Sequence, residues 1–406
     1  MPTISKRAHE MIASPIRKYL PAAQAAAKRG IKVYGLNIGQ PDLLAPTVFW
    51  KEVSKWRKGV LAYAPSTGLA EAQEAWSTYF QRRGLPLAPK DVLITTGGSE
   101  AIFFSMAVTC DPGDEIIVFE PLYSSYKSYA GALNIKLVPV TLSSDNGYHL
   151  PSRKMIEKAV TKRTRAMVVI NPNNPTGAVF TRAELTRVAA VAKKYHLWII
   201  ADETYRDLVF VGGKTVSIYE IPGAAPYVIL TDSASKRMNL CGARVGCLAS
   251  TSTDVMANTL KLAQARLSSP TIEQLAVNPL LTGSQKYLDE IRNEYRRRRD
   301  AVYGALRKMQ GVKVHQPEGA FYLMATLPVK NSEDFVKFML GNFAYKSQTV
   351  FVTPGEDFYS TPGKGRNEVR IAYVLKVKDL KIAMEVLEKG LQAFILKSQW
   401  RNPNDK

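Results

Sequence analysis

The 406-residue sequence has few cysteines and few histidines, and their spacing suits neither disulfides nor metal sites. Its three cysteines, Cys110, Cys241 and Cys247, form no CxxC pair and no even framework. This usage is typical of a reducing compartment, and we expect Cys241 and Cys247 to pack rather than to react. The four histidines are scattered, without the spacing of a motif such as HExxH, so no metal site is predicted.

Long apolar runs are also lacking. No stretch approaches the roughly 18 consecutive apolar residues that a membrane-spanning helix needs. The sequence therefore predicts a soluble protein without a membrane partner. The basic N-terminal segment is similar in composition to a transit peptide, but it lacks the apolar core of a secretory signal.

Acidic residues are scarce relative to basic ones. The chain has 55 Lys and Arg but only 35 Asp and Glu, which gives a net charge of 55 − 35 = +20. Such an excess is compatible with nucleic acid, with a membrane surface or with small anionic substrates. The densest basic run, RRRR at residues 296–299, follows interleaved acids and is predicted to be a solvated helix face. No recognisable nucleic-acid module accompanies it, so no nucleic-acid partner is predicted.

From about residue 91 the sequence alternates short apolar runs with helical patterns. The runs DVLIT, EIIVFE, IKLVPV, RAMVVINP, LWIIADE and YVILTDS are predicted strands. One helix should begin after Thr181, which forms a capping box with Glu184. Strands that alternate with helices predict an α/β fold with a mostly parallel central sheet flanked by helices.

The C-terminal part, from VKVHQPEGAFYLMATL onward, mixes strands and helices and indicates a second, smaller α+β domain. We therefore divide the chain into three parts. Residues 1–44 are predicted to form an N-terminal arm and part of the small domain. Residues 45–285 should form the large ligand-binding domain, and residues 286–406 the small C-terminal domain.

In parallel sheets, ligands bind beyond the carboxyl ends of the strands, so the residues after each predicted strand are site candidates. Gly97 and Gly98 open a helix after DVLITT and could cradle an anion, although such turns often serve only packing. Asn174 lies in the rigid loop NPNNPTG, which alone could be a plain turn. Asp202 closes a buried strand, where its charge needs a cation, either an arginine or a protonated ring nitrogen.

A further strand end carries Lys236 in the crowded sequence SASK. Burial and neighbouring cations should lower the pKa of this lysine, as a nucleophilic amine requires. Ser233 and Arg244 could bind a phosphate. Together with Asp202, these residues describe a phosphorylated aromatic cation whose aldehyde reacts with an amine, which is the chemistry of pyridoxal 5′-phosphate.

These motifs resemble those of the class I aminotransferases of fold type I, in the aspartate aminotransferase group. The resemblance runs almost end to end and is carried by SPIRKYLP, LNIGQPD, YAPSTG, TTGGSEAI, DPGDEIIV, NPNNPTG, ADETY, SASKRMNLCGARVG, QARLSSPT, EGAFY and NEVRIAYV. It implies a fold type I pyridoxal-phosphate-dependent transferase. Because SPIRKYLP matches the family's N-terminal arm, few residues remain for a transit peptide, and a cytoplasmic protein is expected.

The resemblance also implies a role for each matching residue. Lys236 resembles the lysine that holds the cofactor as a Schiff base and moves the substrate proton. Asp202 would pair with the ring nitrogen, and Asn174 and Tyr205 would hydrogen-bond the ring oxygen. The other implied ligands are Gly98, Ser99, Ser233 and Arg244 for the phosphate, Tyr123 for stacking on the ring, and Gly39, Asn174 and Arg370 for the substrate α-carboxylate.

Two further positions concern the neighbouring subunit. Tyr63 resembles the tyrosine that reaches the partner's phosphate, which implies a homodimer with shared active sites. Arg266 is a candidate to reach over and bind a distal substrate carboxylate, with a structural salt bridge as its alternative role. Glu100 places a negative charge beside the phosphate turn, and the sequence does not explain it.

The implied reaction moves an amino group from an L-amino acid, aspartate or another acidic one, to 2-oxoglutarate by a ping-pong mechanism. Transamination of aromatic or aliphatic amino acids, or a carbon–sulfur lyase on the same fold, stays open. A non-enzymatic regulator is more remote, because only about 35 residues precede LNIGQPD, too few for an added domain.

Overall fold

The computed structural model describes residues 2–11, 14–56, 59–212, 215–283 and 285–400. Residue 1 and residues 401–406, at the ends of the first and last predicted domains, lie outside these ranges.

The helices are α1 Lys6–Glu10, α2 Leu20–Lys28, α3 Thr47–Lys55, α4 Ala70–Gln81, α5 Gly98–Thr109, α6 Ser125–Leu133, α7 Arg153–Lys158, α8 Arg182–Tyr195, α9 Thr253–Ala265, α10 Thr271–Leu281, α11 Gln285–Leu306, α12 Ser332–Asn342 and α13 Val377–Trp400. The strands are β1 Lys32–Gly35, β2 Val92–Thr96, β3 Glu115–Glu120, β4 Lys136–Thr141, β5 Thr164–Ile170, β6 Trp198–Asp202, β7 Val228–Ser233, β8 Val245–Ala249, β9 Lys313–Val314, β10 Tyr322–Thr326, β11 Gln348–Phe351, β12 Thr353–Pro354 and β13 Glu368–Ala372.

A seven-stranded sheet of order β2-β8-β7-β6-β5-β3-β4 forms the centre of the fold. Its neighbours are parallel except at β8, which runs antiparallel to both β2 and β7. Every residue of β3, β7 and β8 is buried, as expected for a sheet covered on both faces. The predicted α/β class with a mostly parallel central sheet is confirmed.

The two faces of this sheet belong to different cores, because successive strand residues point to opposite sides. In β3, Ile117 and Phe119 pack in a core that includes α8 and α10. The alternating Ile116 and Val118 pack in a core with α5 and α6. The capping box predicted for α8 is also confirmed, since Thr181 and Glu184 exchange both hydrogen bonds.

Strand β8 was not among the predicted strands. It follows directly after the lysine loop and contains Gly246, which weakens a strand pattern. A Cβ at Gly246 would lie 2.6 Å from the carbonyl carbon of Gly97 and 2.7 Å from the carbonyl oxygen of Asp232. Glycine therefore lets β8 lie against the turn between β2 and α5, where the candidate site is.

A second core joins both ends of the chain. It surrounds an antiparallel sheet of order β12-β13-β10-β9 and the parallel pair β1-β11. Tyr34 and Leu36 from the N-terminal part pack there with Phe335, Val369 and Leu387. Divisions at residues 44 and 285 stay predictions.

The RRRR run lies in α11, but the prediction of a solvated face is wrong for two of its members. Arg298 and Arg299 are only 1% and 5% exposed. Arg298 forms ion pairs of 2.6 Å with Asp42 and 2.9 Å with Glu294. Arg299 donates to the carbonyl oxygen of Pro317 at 2.6 Å. Partners distant in sequence explain this burial, and a local charge pattern does not reveal them.

Membrane spans and metal clusters are two further features considered for residues 2–11, 14–56, 59–212, 215–283 and 285–400. Within those ranges, no helix has both the length and the apolar character needed to cross a bilayer. In the same part of the chain, no three His, Cys, Asp or Glu side chains are grouped as metal ligands would be.

Candidate active site

A cavity of about 720 Å³ opens at the carboxyl ends of β6 and β7. All predicted site residues except Tyr63 and Arg266 line it, namely Gly39, Gly98, Ser99, Tyr123, Asn174, Asp202, Tyr205, Ser233, Lys236, Arg244 and Arg370. Residues spread over more than three hundred positions are thus brought to one place, because parallel strands end at the same edge of the sheet.

One end of the cavity has the donor set of an anion site. Helix α5 begins there at Gly98, so its first N–H groups face the cavity. Gly97 has a φ of +76°, and a Cβ at this position would lie 2.5 Å from Nη2 of Arg244. The guanidinium of Arg244 donates to two backbone carbonyl oxygens and has no carboxylate partner in the described ranges. The hydroxyls of Ser233 and Ser235, 2.8 Å apart, add two further possible donors to this anion site.

Asp202 is the last residue of β6 and is only 5% exposed. Its carboxylate accepts from the backbone N–H of Thr204 at 3.3 Å and from the hydroxyl of Tyr126 at 3.4 Å. Burial raises the pKa of Asp202 to about 6, although the hydrogen bonds from Thr204 lower it. No cation among the described residues pairs with this carboxylate, so it fits a ligand with a protonated ring nitrogen.

Arg370 presents the complementary situation, a buried cation without an acid. Its side chain is 0% exposed and donates to Oδ1 of Asn174 at 3.1 Å and to the carbonyl oxygen of Asn37 at 2.6 Å. Its Nε is buried and has no hydrogen-bond partner among the described residues, and burial lowers the pKa of the guanidinium. None of the described carboxylates pairs with it. A buried charge normally requires such a partner, so Arg370 fits a ligand carboxylate.

Lys236 extends into the same cavity, where Nζ donates to the carbonyl oxygen of Gly39 at 3.0 Å and lies 3.8 Å from Sγ of Cys241. Burial lowers the pKa of Lys236, but Tyr322 and Cys241 raise it by more, so the pKa lies above its ordinary value. The prediction that its surroundings lower this pKa is therefore wrong. Cys241 also lines the cavity, and its expected role in packing rather than in chemistry stays a prediction.

The loop that carries Lys236 is fixed by the neighbouring Arg237, for which the sequence suggests no role. Arg237 is fully buried and forms ion pairs of 2.8 Å with Asp232 and 3.3 Å with Asp207. Burial tends to raise the pKa of Asp207, but Arg237 and Arg83 hold it below its ordinary value. This buried ion-pair network joins the lysine loop to the layer beneath the site.

Tyr322 is a cavity residue that sequence reasoning missed. Its hydroxyl lies 3.1 Å from that of Tyr205, and its ring centroid lies 4.5 Å from the guanidinium carbon of Arg370. A Cβ at Gly39 would overlap the Tyr322 hydroxyl, so glycine is needed there. The motif EGAFY was the available signal, but its distance from the other motifs in sequence hid the contact.

The structure does not bring the remaining two predicted residues into the cavity. Tyr63 lies between α3 and α4 and is 77% exposed. Arg266 places Nε 3.2 Å from Oε1 of Glu100 and donates to the carbonyl oxygen of Ile94 at 3.1 Å. The alternative role predicted for Arg266, a structural salt bridge, is therefore present, and binding of a distal carboxylate in the partner subunit stays a prediction. That pair also accounts for Glu100, which accepts from the backbone N–H of Thr96 at 2.8 Å.

An anion cradle, a buried acid and a lysine amine at the edge of a mostly parallel sheet define a class of lysine-dependent α/β transferases. Within that class, the chain belongs to the family Aminotransferase class I and II, which it matches over residues 31–387. The protein is therefore an aminotransferase, and the resemblance found in the motifs is confirmed. Enzymes of this family use pyridoxal phosphate.

Individual relatives match over nearly the whole chain. The aspartate/prephenate aminotransferase of Thermus thermophilus is 30% identical over 391 residues, which cover 94% of this chain and 97% of that protein. The aromatic-amino-acid aminotransferase 2 of Thermococcus litoralis is 32% identical over 399 residues, or 96% of this chain and 98% of that protein. A solved structure of the Thermus thermophilus aspartate aminotransferase with maleate superposes with a TM-score of 0.88 at 28% identity, covering 96% of this chain and all of that one (100%). The fold type I architecture is thereby confirmed.

Proposed function

We propose that this aminotransferase moves the amino group of an acidic L-amino acid, aspartate or a close analogue, to 2-oxoglutarate with pyridoxal phosphate as its cofactor. The observation that carries the proposal is one cavity lined by Lys236, Asp202, Arg244 and Arg370. The last three have no oppositely charged partner in the described part of the chain. A phosphorylated cationic ring and a substrate carboxylate would provide those partners.

Pyridoxal phosphate, when bound, supplies an aldehyde and a ring that accepts electrons from the substrate Cα. Asp202 would hold the protonated ring nitrogen and thereby gain the cation that its burial calls for. Asn174 and Tyr205 would hydrogen-bond the ring oxygen, and Tyr123 would stack on the ring. The phosphate of the cofactor would lie at the backbone of Gly98, where α5 begins.

The phosphate would be held by the N–H groups of Gly98 and Ser99 at the start of α5 and by the side chains of Ser233 and Arg244. This combination suits a phosphate because a helix N-terminus and a guanidinium both favour an anion. The narrow space around Gly97 supports the proposal, since Arg244 occupies the volume that any side chain there would take.

Lys236 would take the proton from the substrate Cα and return it to the cofactor as general base and then general acid. The carbonyl oxygen of Gly39, 3.0 Å from Nζ, would orient the amine. Because the pKa of Lys236 lies above its ordinary value, the amine must lose a proton before it acts as a base. Arg370, with Asn174, would grip the α-carboxylate, and two half-reactions of this kind give ping-pong kinetics.

We also propose a homodimer with shared sites. Val60, Leu61, Tyr63 and Leu267 are large side chains left exposed on one chain. The two segments that carry them are joined, since Oγ of Ser66 donates to the carbonyl oxygen of Leu267 at 2.7 Å. A contiguous exposed apolar surface usually marks a protein interface. Burial of this surface by a second copy would bring Tyr63 toward the partner's phosphate.

The proposed location is the cytoplasm. Its support is the chemistry of the thiols, because all three cysteines, Cys110, Cys241 and Cys247, are free. Free thiols beside a reactive amine persist most readily in a reducing compartment.

Transfer from aromatic amino acids is a second candidate activity. The cavity is lined not only by cations but also by Ile16, Ile102, Tyr123 and Tyr129, which offer apolar surface to a large side chain. One similar protein, that of Thermococcus litoralis, is an aromatic-amino-acid aminotransferase.

A substrate panel tests the proposal. Aspartate, glutamate, phenylalanine and alanine are offered with several oxo acids, and turnover is followed at the cofactor absorbance. We expect aspartate with 2-oxoglutarate to be among the best pairs. Lys236→Ala should abolish all transfer, whereas Lys261→Ala, which changes an exposed side chain of α9, should not change it. Turnover by the Lys236 variant would refute the assignment, and release of pyruvate and ammonia from cysteine without an oxo acid would favour the lyase.

A further inference from the structure

The cavity contains a cation for which the proposed function has no use. Arg17 lines it together with Ser14, Ile16 and Gln40. Its side chain is exposed to solvent and forms neither a hydrogen bond nor an ion pair with any residue in the described ranges. An exposed guanidinium that lines a binding cavity and has no partner among the described residues is available to a ligand.

One buried residue, Asn37, links the segment that carries Arg17 to Arg370. Asn37 donates from Nδ2 to the carbonyl oxygen of Ile16 at 2.8 Å. The carbonyl oxygen of the same Asn37 accepts from Nη2 of Arg370 at 2.6 Å. Through Asn37, the segment that carries Arg17 is therefore connected to Arg370, which would hold the α-carboxylate.

The charges of the cavity indicate what Arg17 would bind. Among the residues that the structure describes, four cations, Arg17, Lys236, Arg244 and Arg370, and one carboxylate, Asp202, line the cavity. Under the proposed function, Arg244 meets the phosphate, Arg370 meets the α-carboxylate and Lys236 meets the cofactor aldehyde. One cation remains, and in a partly enclosed site its field favours another anionic group on the ligand.

We propose that Arg17 binds the side-chain carboxylate of the substrate, so that the amino donor is a dicarboxylate. This inference rests on the proposed function, because it assumes that Arg370 holds the α-carboxylate. A guanidinium suits the task, since its planar fork can donate two parallel hydrogen bonds to a carboxylate. Ser14 and Gln40 also line the cavity and offer further hydrogen bonds. Arg17 would thus take the role for which Arg266, paired with Glu100, is the other candidate.

A binding experiment on the holoenzyme separates this role from a general effect on the fold. Maleate, a dicarboxylate, and butyrate, a monocarboxylate, are titrated while the cofactor absorbance is followed. Arg17→Gln should weaken maleate binding about ten- to a hundredfold and leave butyrate binding unchanged. Arg17→Lys should recover part of the maleate affinity. The matched control is Lys18→Ala, which removes the adjacent positive charge, because Lys18 pairs with Glu333 at 3.1 Å and does not line the cavity.

Steady-state kinetics give the second readout. In Arg17→Gln, kcat/KM for aspartate should fall, while kcat/KM for alanine or phenylalanine should not. Unchanged maleate affinity in this variant would overturn the inference, and so would equal losses for maleate and butyrate. If the wild-type protein transferred no amino group at all, the proposed function would fail, yet a loss confined to maleate would still assign the dicarboxylate subsite to Arg17.

Discussion

Asp202 and Arg370 are both buried, and the described part of the chain offers neither of them an oppositely charged partner. Folding alone does not favour such groups, because an isolated charge loses its hydration when it is buried. Their presence in one cavity is better explained by a ligand that carries both a cationic ring and a carboxylate. At the scale of single residues, the two unpaired charges therefore specify the ligand more closely than the lysine does.

Asp202 gives a prediction about pH. Burial raises its pKa from the ordinary 3.8 to about 6, so in the cofactor-free protein folding favours the protonated form. The stability from this group is present below about pH 4 and is lost as the pH rises through about 6. Asp202→Asn stays neutral, so its free energy of unfolding relative to wild type should rise by about 2 kcal/mol between pH 4 and pH 7. Urea denaturation of both cofactor-free proteins at the two pH values measures this.

Bound pyridoxal phosphate should have the opposite effect on the carboxyl of Asp202, because a protonated ring nitrogen stabilises the ionised carboxylate. Near neutral pH the cofactor should raise the midpoint of unfolding more for wild type than for Asp202→Asn. A stability difference independent of pH, or equal stabilisation of both proteins by the cofactor, would contradict the role of Asp202.

At the scale of secondary structure, the turn between β2 and α5 is the element on which cofactor binding depends most. Gly97 combines a φ of +76° with a Cβ position that Arg244 occupies. Gly97→Ala should weaken the affinity for pyridoxal phosphate at least tenfold, because the guanidinium must move. Equilibrium titration of the cofactor measures the change.

Gly113 provides the matched control. It also has a positive φ, +91°, but a Cβ there would meet nothing within 4 Å. Both alanine variants should lose about 1 kcal/mol of stability to backbone strain. Only Gly97→Ala should lose cofactor affinity, and equal affinities in the two variants would show that the turn does not form the cradle.

How far the sequence predicts these elements depends on whether the signal is local. The strands before Gly98, Asn174, Asp202 and Lys236 carry apolar runs, and parallel strands end at one edge, so those residues could be expected to meet. Strand β8 was missed because its glycine serves a close approach to another strand. The sequence alone does not place Arg17 and Tyr322 in the cavity, because the residues that line it come from segments hundreds of positions apart.

At the scale of the whole molecule, the exposed apolar surface around Leu61 and Tyr63 predicts that the protein is a dimer. Leu61→Asp places a charge in the centre of that surface and should convert the protein to a monomer with reduced cofactor affinity. Met155→Asp is the control, because Met155 is similarly exposed, at 50% against 57% for Leu61, but lies on α7. Sedimentation equilibrium measures the outcome, and a Leu61→Asp protein with the mass of the wild type would contradict the proposed interface.

Under the proposed function, Lys236 bonds covalently to pyridoxal phosphate. Lys127 is the alternative lysine by pKa alone, because burial lowers its pKa while the pKa of Lys236 is raised. Lys127 is not, however, among the residues that line the cavity. Reduction of the purified protein with borohydride, followed by peptide mass spectrometry, identifies the bonded lysine directly. We predict the reduced phosphopyridoxyl group on Lys236, whereas its appearance on Lys127 or another lysine, with Lys236 unmodified, would contradict the account.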